Sequence, residues 1–282
     1  MAALIIARLS LKEAVRRRIM LAAFVLGVAF LILYGVGFYF MAGEVRFSSE
    51  GPTRELFQKG FFNFLTLSGL YAVNFLAIAM GALLSADTLA GEIGSGTIQA
   101  IVTKPVRRGE IVLGKWIGYA ILLALYLILM AGGVLAVSFA LSGYVLPNVL
   151  AGIGLIYLET LLVMSVTLAL SSTIPTLATG GVIFGLYGVA FIGGWVEQFG
   201  SFMQNQTAIN VGIVSSLIIP SEALWRRAAY EMTPQIAQVL GVSFSGPFLT
   251  LSVPSELMVG YAALYLVAAL ALAVRQFGRR DL

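Results

Sequence analysis

The chain has 282 residues, of which 60% are hydrophobic and 11% charged, and a formal net charge of +4. Its mean hydropathy is +0.97, and a soluble domain carries about 25% charged residues, so a soluble globular enzyme is excluded and an integral membrane protein is indicated. Cysteine and histidine are both absent, which excludes disulfides, thiol or imidazole catalysis and the usual zinc centres.

Residues 3–18 predict an amphipathic helix. Leu4, Ala7, Leu11, Ala14 and Val15 share one face, while Arg8, Lys12 and Arg16 line another. A basic amphipathic helix lies in the interface plane. Its plainest role is a positively charged anchor; a sharper one is an elbow that also touches a cytoplasmic partner. Arg16, Arg17 and Arg18 then lead into an apolar run reaching Met41. That run exceeds the roughly 7–15 residues of a signal peptide's apolar region, so it reads as an uncleaved first span.

Six apolar stretches meet the roughly 20 residues a bilayer requires: Ile19–Met41, Phe61–Leu84, Trp116–Leu141, Asn148–Leu170, Leu177–Val196 and Leu257–Val274. The expected fold class is an all-α integral membrane protein with one transmembrane domain over residues 1–282. With the N-terminus inside, twelve of the seventeen Lys and Arg residues fall on the inner side. Both termini are therefore expected in the cytoplasm. Trp116, Trp195 and Trp225 suit interfacial belts.

The connection 197–256 is expected to be external or re-entrant. Within it Ala208–Ile219 is apolar but only about a dozen residues long, short for a span, and it ends at Pro220. A seventh span here would carry the C-terminal arginines to the outer side. Ser221 and Glu222 read as the capped, acidic start of a further helix.

Residues 85–115 are the longest polar interruption between apolar runs. They hold Asp87, Glu92, Lys104, Arg107, Arg108, Glu110 and Lys115, seven of the thirty charged residues. A short helix is expected over Asp87–Ile101, then a break before Pro105 and a new helix near Arg108. The plainest reading is a positive loop with Lys115 snorkelling to the headgroups. Connections are typically about 4–6 residues, so so long a segment of alternating charge sign suits docking on a protein surface. Gly109, Gly114 and Lys115 have G-x-x-x-x-G-K spacing, but Trp116 stands where a phosphate-binding loop needs Ser or Thr. The match is read as chance.

Two features lie inside spans. Glu159 is a carboxylate near the middle of the fourth, with Asn74 of the second as a possible partner and Tyr157 and Thr160 nearby. An acid at a span's centre costs about 2.5–3.5 kcal/mol on insertion scales. It is either a pathway or proton-coupled group, or an interhelical hydrogen bond that fixes packing. Gly181 and Gly185 make G-x-x-x-G in the fifth span, which permits close helix approach, within the chain or across a dimer.

In order and approximate spacing, Glu92, Gly96 with Thr97, Pro105, Arg107 with Arg108, Glu110, and Gly114 with Lys115 resemble a pattern of the ABC type-2 export permeases. The branch serving nitrous-oxide-reductase maturation is included in that likeness. The motif covers about thirty residues and the six-span layout the rest. The resemblance implies a cytoplasmic coupling helix between spans two and three. Asp87, Glu92, Gly96, Thr97, Pro105, Arg107 and Arg108 would dock on a separate ATPase subunit. ATP and Mg would be bound by that partner and no cofactor by this chain, which would be non-catalytic. It also implies a homodimer or heterodimer of permeases, with the first and fifth spans near the interface, in the plasma membrane of a prokaryote. No nucleic-acid partner is expected. The function so implied is the transmembrane subunit of an ATP-driven exporter. An ion-driven secondary transporter and a membrane assembly factor are the alternatives. Substrate and direction are not legible. Metal transport lacks support, because Met is scattered and Cys and His are absent.

Overall fold

The computed structural model describes residues 2–16, 18–48, 54–94, 107–234 and 252–279. Among these residues there are nine helices and no strand: α1 Ala2–Arg16, α2 Arg18–Ser48, α3 Arg54–Gly94, α4 Arg108–Ser142, α5 Val149–Ser171, α6 Thr176–Phe202, α7 Gln206–Ile218, α8 Ser221–Glu231 and α9 Glu256–Arg279. Six of them (α2 to α6 and α9) are long and apolar enough to cross a membrane. Each matches one of the six expected spans, with Asn148 alone falling just outside, as the residue that precedes α5.

The helix ends follow local chemistry. Helix α4 closes at Gly143, whose φ of 72° lies in the left-handed region and whose N–H donates to the Phe139 carbonyl at 2.8 Å. Glycine takes that conformation without steric penalty. Asn148, at φ 43°, turns the chain into α5. Pro175 precedes the first residue of α6 with φ −62°, already set for a helix start. Inside the spans, hydroxyls bond back to carbonyls one turn earlier: Thr160 to Ile156, Ser165 to Leu161, Thr167 to Val163. Such groups need no partner on another helix.

Helices α3, α4 and α5 form the centre. The most apolar window of α3 is 61% buried, against 6% for α2 and 17% for α9. Leu70, Ala77, Leu123, Met130 and Ile156 meet in the main core, joined by Trp225 and Ala228 of α8. Helix α2 thus presents nearly its whole surface outward.

Three expectations change. The separate helix over Asp87–Ile101 is not seen where the structure describes that stretch: Asp87–Gly94 is the unbroken end of α3, and residues 95–106 lie outside the described residues. The second span therefore continues into the polar end instead of stopping at Leu84. The connection 197–256 begins later than expected, since 197–202 belong to α6. The belt role fails for two tryptophans. Trp225 is buried against Tyr71, with ring centroids 4.9 Å apart, and half-buried Trp116 donates its Nε1–H to Ser165 Oγ at 2.9 Å.

Two close crossings shape the molecule. Helix α1 does not lie apart; it packs along α4. A Cβ at Gly114 would fall 2.7 Å from the Ala3 carbonyl oxygen, and one at Gly118 2.7 Å from that of Ala7. This is G-x-x-x-G packing, at a pair that the sequence reading passed over. Helix α7 folds back along α6: Gly200 faces Ala208, Gly193 faces Ser215 and Gly212 faces Glu197. At 1.5 Å per residue the overlap from 193 to 202 is about 14 Å, half the roughly 30 Å of a hydrocarbon core. The chain then bends by 107° at Pro220. Helix α8 runs from Gly194, which abuts Glu222, back to Gly152, which abuts Met232. The apolar run Ala208–Ile219 is therefore one arm of a sharply bent helix pair, α7 lying along α6 and α8 along α5.

Candidate functional site

One end of the bundle gathers α1, the end of α3, the start of α4, the end of α5 and the end of α9. Leu89, Ile111, Val112, Leu168 and Phe277 pack together there, and Arg108 Nη1 donates to the Gly278 carbonyl at 3.3 Å. The helix start at Arg108 is secured by Glu110, whose carboxylate accepts the Arg107 N–H at 3.1 Å. Of the residues expected to dock an ATPase, Asp87, Glu92, Arg107 and Arg108 all sit at this end. Gly96, Thr97 and Pro105 lie outside the described residues.

Their exposures differ. Arg107 is exposed and Arg108 half-buried. Asp87 is half-buried and accepts from Thr176 Oγ1 at 3.4 Å. Glu92 is turned inward, where it pairs with Lys115, and both are buried. Lys115 also reaches the Thr88 carbonyl at 3.5 Å. The snorkelling expected of Lys115 is thus overturned. A fixed carboxylate one helix away offers its ammonium a better partner than the headgroup layer. Gly109–Lys115 lies within α4 rather than in a loop, and Lys115 is committed to Glu92. A phosphate cradle needs free N–H groups and a free lysine.

The second region lies deep between α3, α5, α6 and α8. Asn74 and Glu159 are brought together, both fully buried. Among the described residues the Glu159 carboxylate has the Asn74 amide as its polar neighbour and no other hydrogen-bond partner. Thr160 and Tyr157, the expected local neighbours, are satisfied elsewhere, by the Ile156 and Ala120 carbonyls. What the sequence reading missed is a second carboxylate. Glu222 lies close enough to Glu159 for their charges to interact, admitted by the bare backbone of Gly194. Its Oε2 and the hydroxyl of Ser221 are buried with no hydrogen-bond partner among the described residues. Beside them Arg226, 1% exposed, bonds Glu197 at 2.8 Å, and Ser252 Oγ donates to the other Glu197 oxygen at 2.5 Å. The preceding apolar run gives no signal, since Val211, Val214, Leu217 and Ile218 are exposed; Glu222 is carried inward by α8 itself, whose Ala223, Leu224, Trp225 and Ala228 are buried.

A Cβ at Gly181 or Gly185 would meet no atom of another element within 4 Å among the described residues. The described chain therefore supplies no contact for this glycine pair.

A family model described as ABC-2 family transporter protein matches residues 4–282. The chain belongs to the ABC-2 transporter family. Its curated relatives include the probable ABC transporter permease protein NosY of Pseudomonas aeruginosa (strain PAO1), 30% identical over 177 residues, 62% of this chain and 59% of that protein. The protein of the same name in Stutzerimonas stutzeri is 30% identical over 143 residues, 49% of this chain and 46% of its own length. The matched stretch thus spans about half the length of each relative. As an ABC-2 family chain with six spanning helices, this is a multi-pass membrane protein and an ABC transporter membrane component.

Proposed function

We propose that this chain is the membrane subunit of an ATP-driven exporter, acting as a homodimer or heterodimer with a separate ATPase. The chain is non-catalytic, and ATP and Mg bind on the partner. The observation that carries the reading is the continuity of α3. Its 41 residues span about 60 Å. One helix therefore bears Asp87 and Glu92 at the polar end and Tyr71 and Asn74 at the buried polar site. A push at the polar end moves the buried site without an intervening hinge, as a rigid-body switch between two packings requires.

Within this reading the end bearing α1, Arg107 and Arg108 faces the cytoplasm of a prokaryote, and both termini lie there. Exposed Arg107 meets the ATPase. Glu92 holds the end of α3 against α4 through Lys115, as a positioning residue. Open Gly181 and Gly185 suit a dimer contact. The test is co-expression with an ABC ATPase encoded beside it. Arg107→Glu with Arg108→Glu is expected to leave the chain folded and abolish recovery of the ATPase, together with stimulated ATP hydrolysis. A double variant that still recovers a fully coupled ATPase would sink the proposal.

A further inference from the structure

A groove of about 260 Å³ runs between α5 and α9, which pack along each other. Val166 and Leu170 line one wall; Tyr265, Ala268, Leu272 and Gln276 line the other. The volume is below the roughly 300–1,000 Å³ of small-molecule sites. From Tyr265 to Gln276 the helix rises about 17 Å, close to half of a roughly 30 Å hydrocarbon core. Ala268 and Leu272 are exposed, so the groove opens on the outer surface of the bundle, where lipid lies. At its far end Tyr265 is fixed, its hydroxyl donating to the Ile218 carbonyl at 3.0 Å.

The near end is basic. Ala268, Leu272, Arg275 and Arg279 recur at helical spacing and share one face of α9. Both arginines are exposed, and neither has an ion pair or hydrogen bond among the described residues. Glu256, the one acid of α9, lies at the opposite end of that helix, and the neighbouring turn 172–175 carries no charge. Gln276 has its side-chain oxygen occupied by Ser172 Oγ–H at 2.9 Å, which leaves its amide N–H groups to donate. Two guanidinium groups beside an amide donor favour an oxyanion, and the guanidinium fork matches phosphate. A free anion would gain nothing from the apolar groove below; an acyl chain would.

We propose that the α5–α9 groove binds one anionic phospholipid, its acyl chain against Ala268 and Leu272 and its phosphate headgroup at Arg275, Arg279 and Gln276. The apolar window of α9 is only 17% buried, so a lipid seated there secures a helix that the rest of the chain covers sparsely. The site lies in the leaflet at the Arg107 end of the bundle, where Arg108 holds the Gly278 carbonyl. It depends neither on the cargo nor on the ATPase of the transporter reading above.

The experiment uses the purified full chain in mild detergent, with bound lipid counted by native mass spectrometry. The probe is dioleoylphosphatidylglycerol, compared with dioleoylphosphatidylcholine, which has the same chains and no net charge. One saturable phosphatidylglycerol site is expected, with phosphatidylcholine about tenfold weaker there. Arg275→Gln with Arg279→Gln should abolish that preference, whereas Arg275→Lys with Arg279→Lys, which keeps the charge, should retain it. Ala268→Phe fills the groove and should weaken both lipids about tenfold. Arg8→Gln with Lys12→Gln, on the basic face of α1 at the same end, should leave the site intact. Every substituted position is exposed, and the groove and charge variants test the proposal independently. Equal binding of the two lipids, or a preference that survives loss of both arginines, overturns it. So does unaltered affinity in Ala268→Phe, since the headgroup would then bind without the groove. Full competition by millimolar inorganic phosphate would make this a site for a free anion, and an equal loss in the α1 variant would make the preference a property of the whole basic end; either result overturns the proposal. An Ala268→Phe effect confined to self-association also overturns it, because a second copy would then cover the groove.

Discussion

Two arginines one residue apart show how burial sets the worth of a charge. Arg226 is sealed against Glu197 in the interior, whereas Arg227 bridges Glu231 and the exposed Glu256 at the rim. Arg226→Met leaves Glu197 as an uncompensated buried charge and is expected to cost about 3–5 kcal/mol. Arg227→Met is expected to cost no more than about 1 kcal/mol. Thermal unfolding of both variants in detergent checks this, and similar midpoints would refute it. The Lys115–Glu92 pair obeys the same rule. Lys115→Met alone should lower the midpoint sharply, and adding Glu92→Gln should recover most of the loss, because it removes the stranded charge. Identical behaviour with and without Glu92→Gln would mean that Lys115 acts through packing alone. In the sequence these four charges carry no sign of their partners, which lie 23 and 29 residues away. Glu159 was legible, because an acid amid apolar residues stands out in one dimension. Glu222 was not, because its own segment reads as a polar helix.

At the scale of elements, two glycine pairs with identical spacing have different fates. Gly114 and Gly118 take α1 against α4, while Gly181 and Gly185 face open space. Spacing states only that close approach is possible; which helix arrives depends on the fold. Gly118→Val places its Cβ against the Ala7 carbonyl and should displace α1, at a cost of about 1–3 kcal/mol. Trypsin should then cut at Arg8 and Lys12 faster than in the parent protein, and an unchanged cleavage rate would count against the crossing. Gly181→Ala has room within the chain and gains helix propensity of up to about 1 kcal/mol. Its monomer stability should hold or rise, so any loss of dimer recovery reports the interface. A fall in monomer stability would point to an intrachain contact.

For the whole molecule, the topology makes a prediction about sides. The α6–α7 turn at Gln204 lies at the bundle end opposite Arg107, with α6 between them and Glu222 dipping back toward the middle. The parent protein has no cysteine, so single cysteines report without background. An impermeant maleimide added to intact cells should label Gln204→Cys, and should label Arg107→Cys only after lysis. Labelling of both from outside would reverse or break the assigned orientation. Buried Glu222→Cys should resist the reagent from either side until the chain is unfolded.

By itself the sequence determined the class, the six spans and the position of the polar end. Each follows from one-dimensional quantities: the length of an apolar run against a fixed bilayer thickness, and the distribution of positive charge along the chain. The type-2 permease likeness was legible too, because its motif is local. Only the tertiary structure decided that α3 runs unbroken to Gly94, that Glu92 turns inward to Lys115, and that α7 and α8 bend sharply and pack on α6 and α5. It alone seated Glu222 in the interior against Gly194. The physical reason is common to all four. Burial of a polar group is settled by which other helix comes within bonding distance, and that is a property of packing rather than of neighbours along the chain.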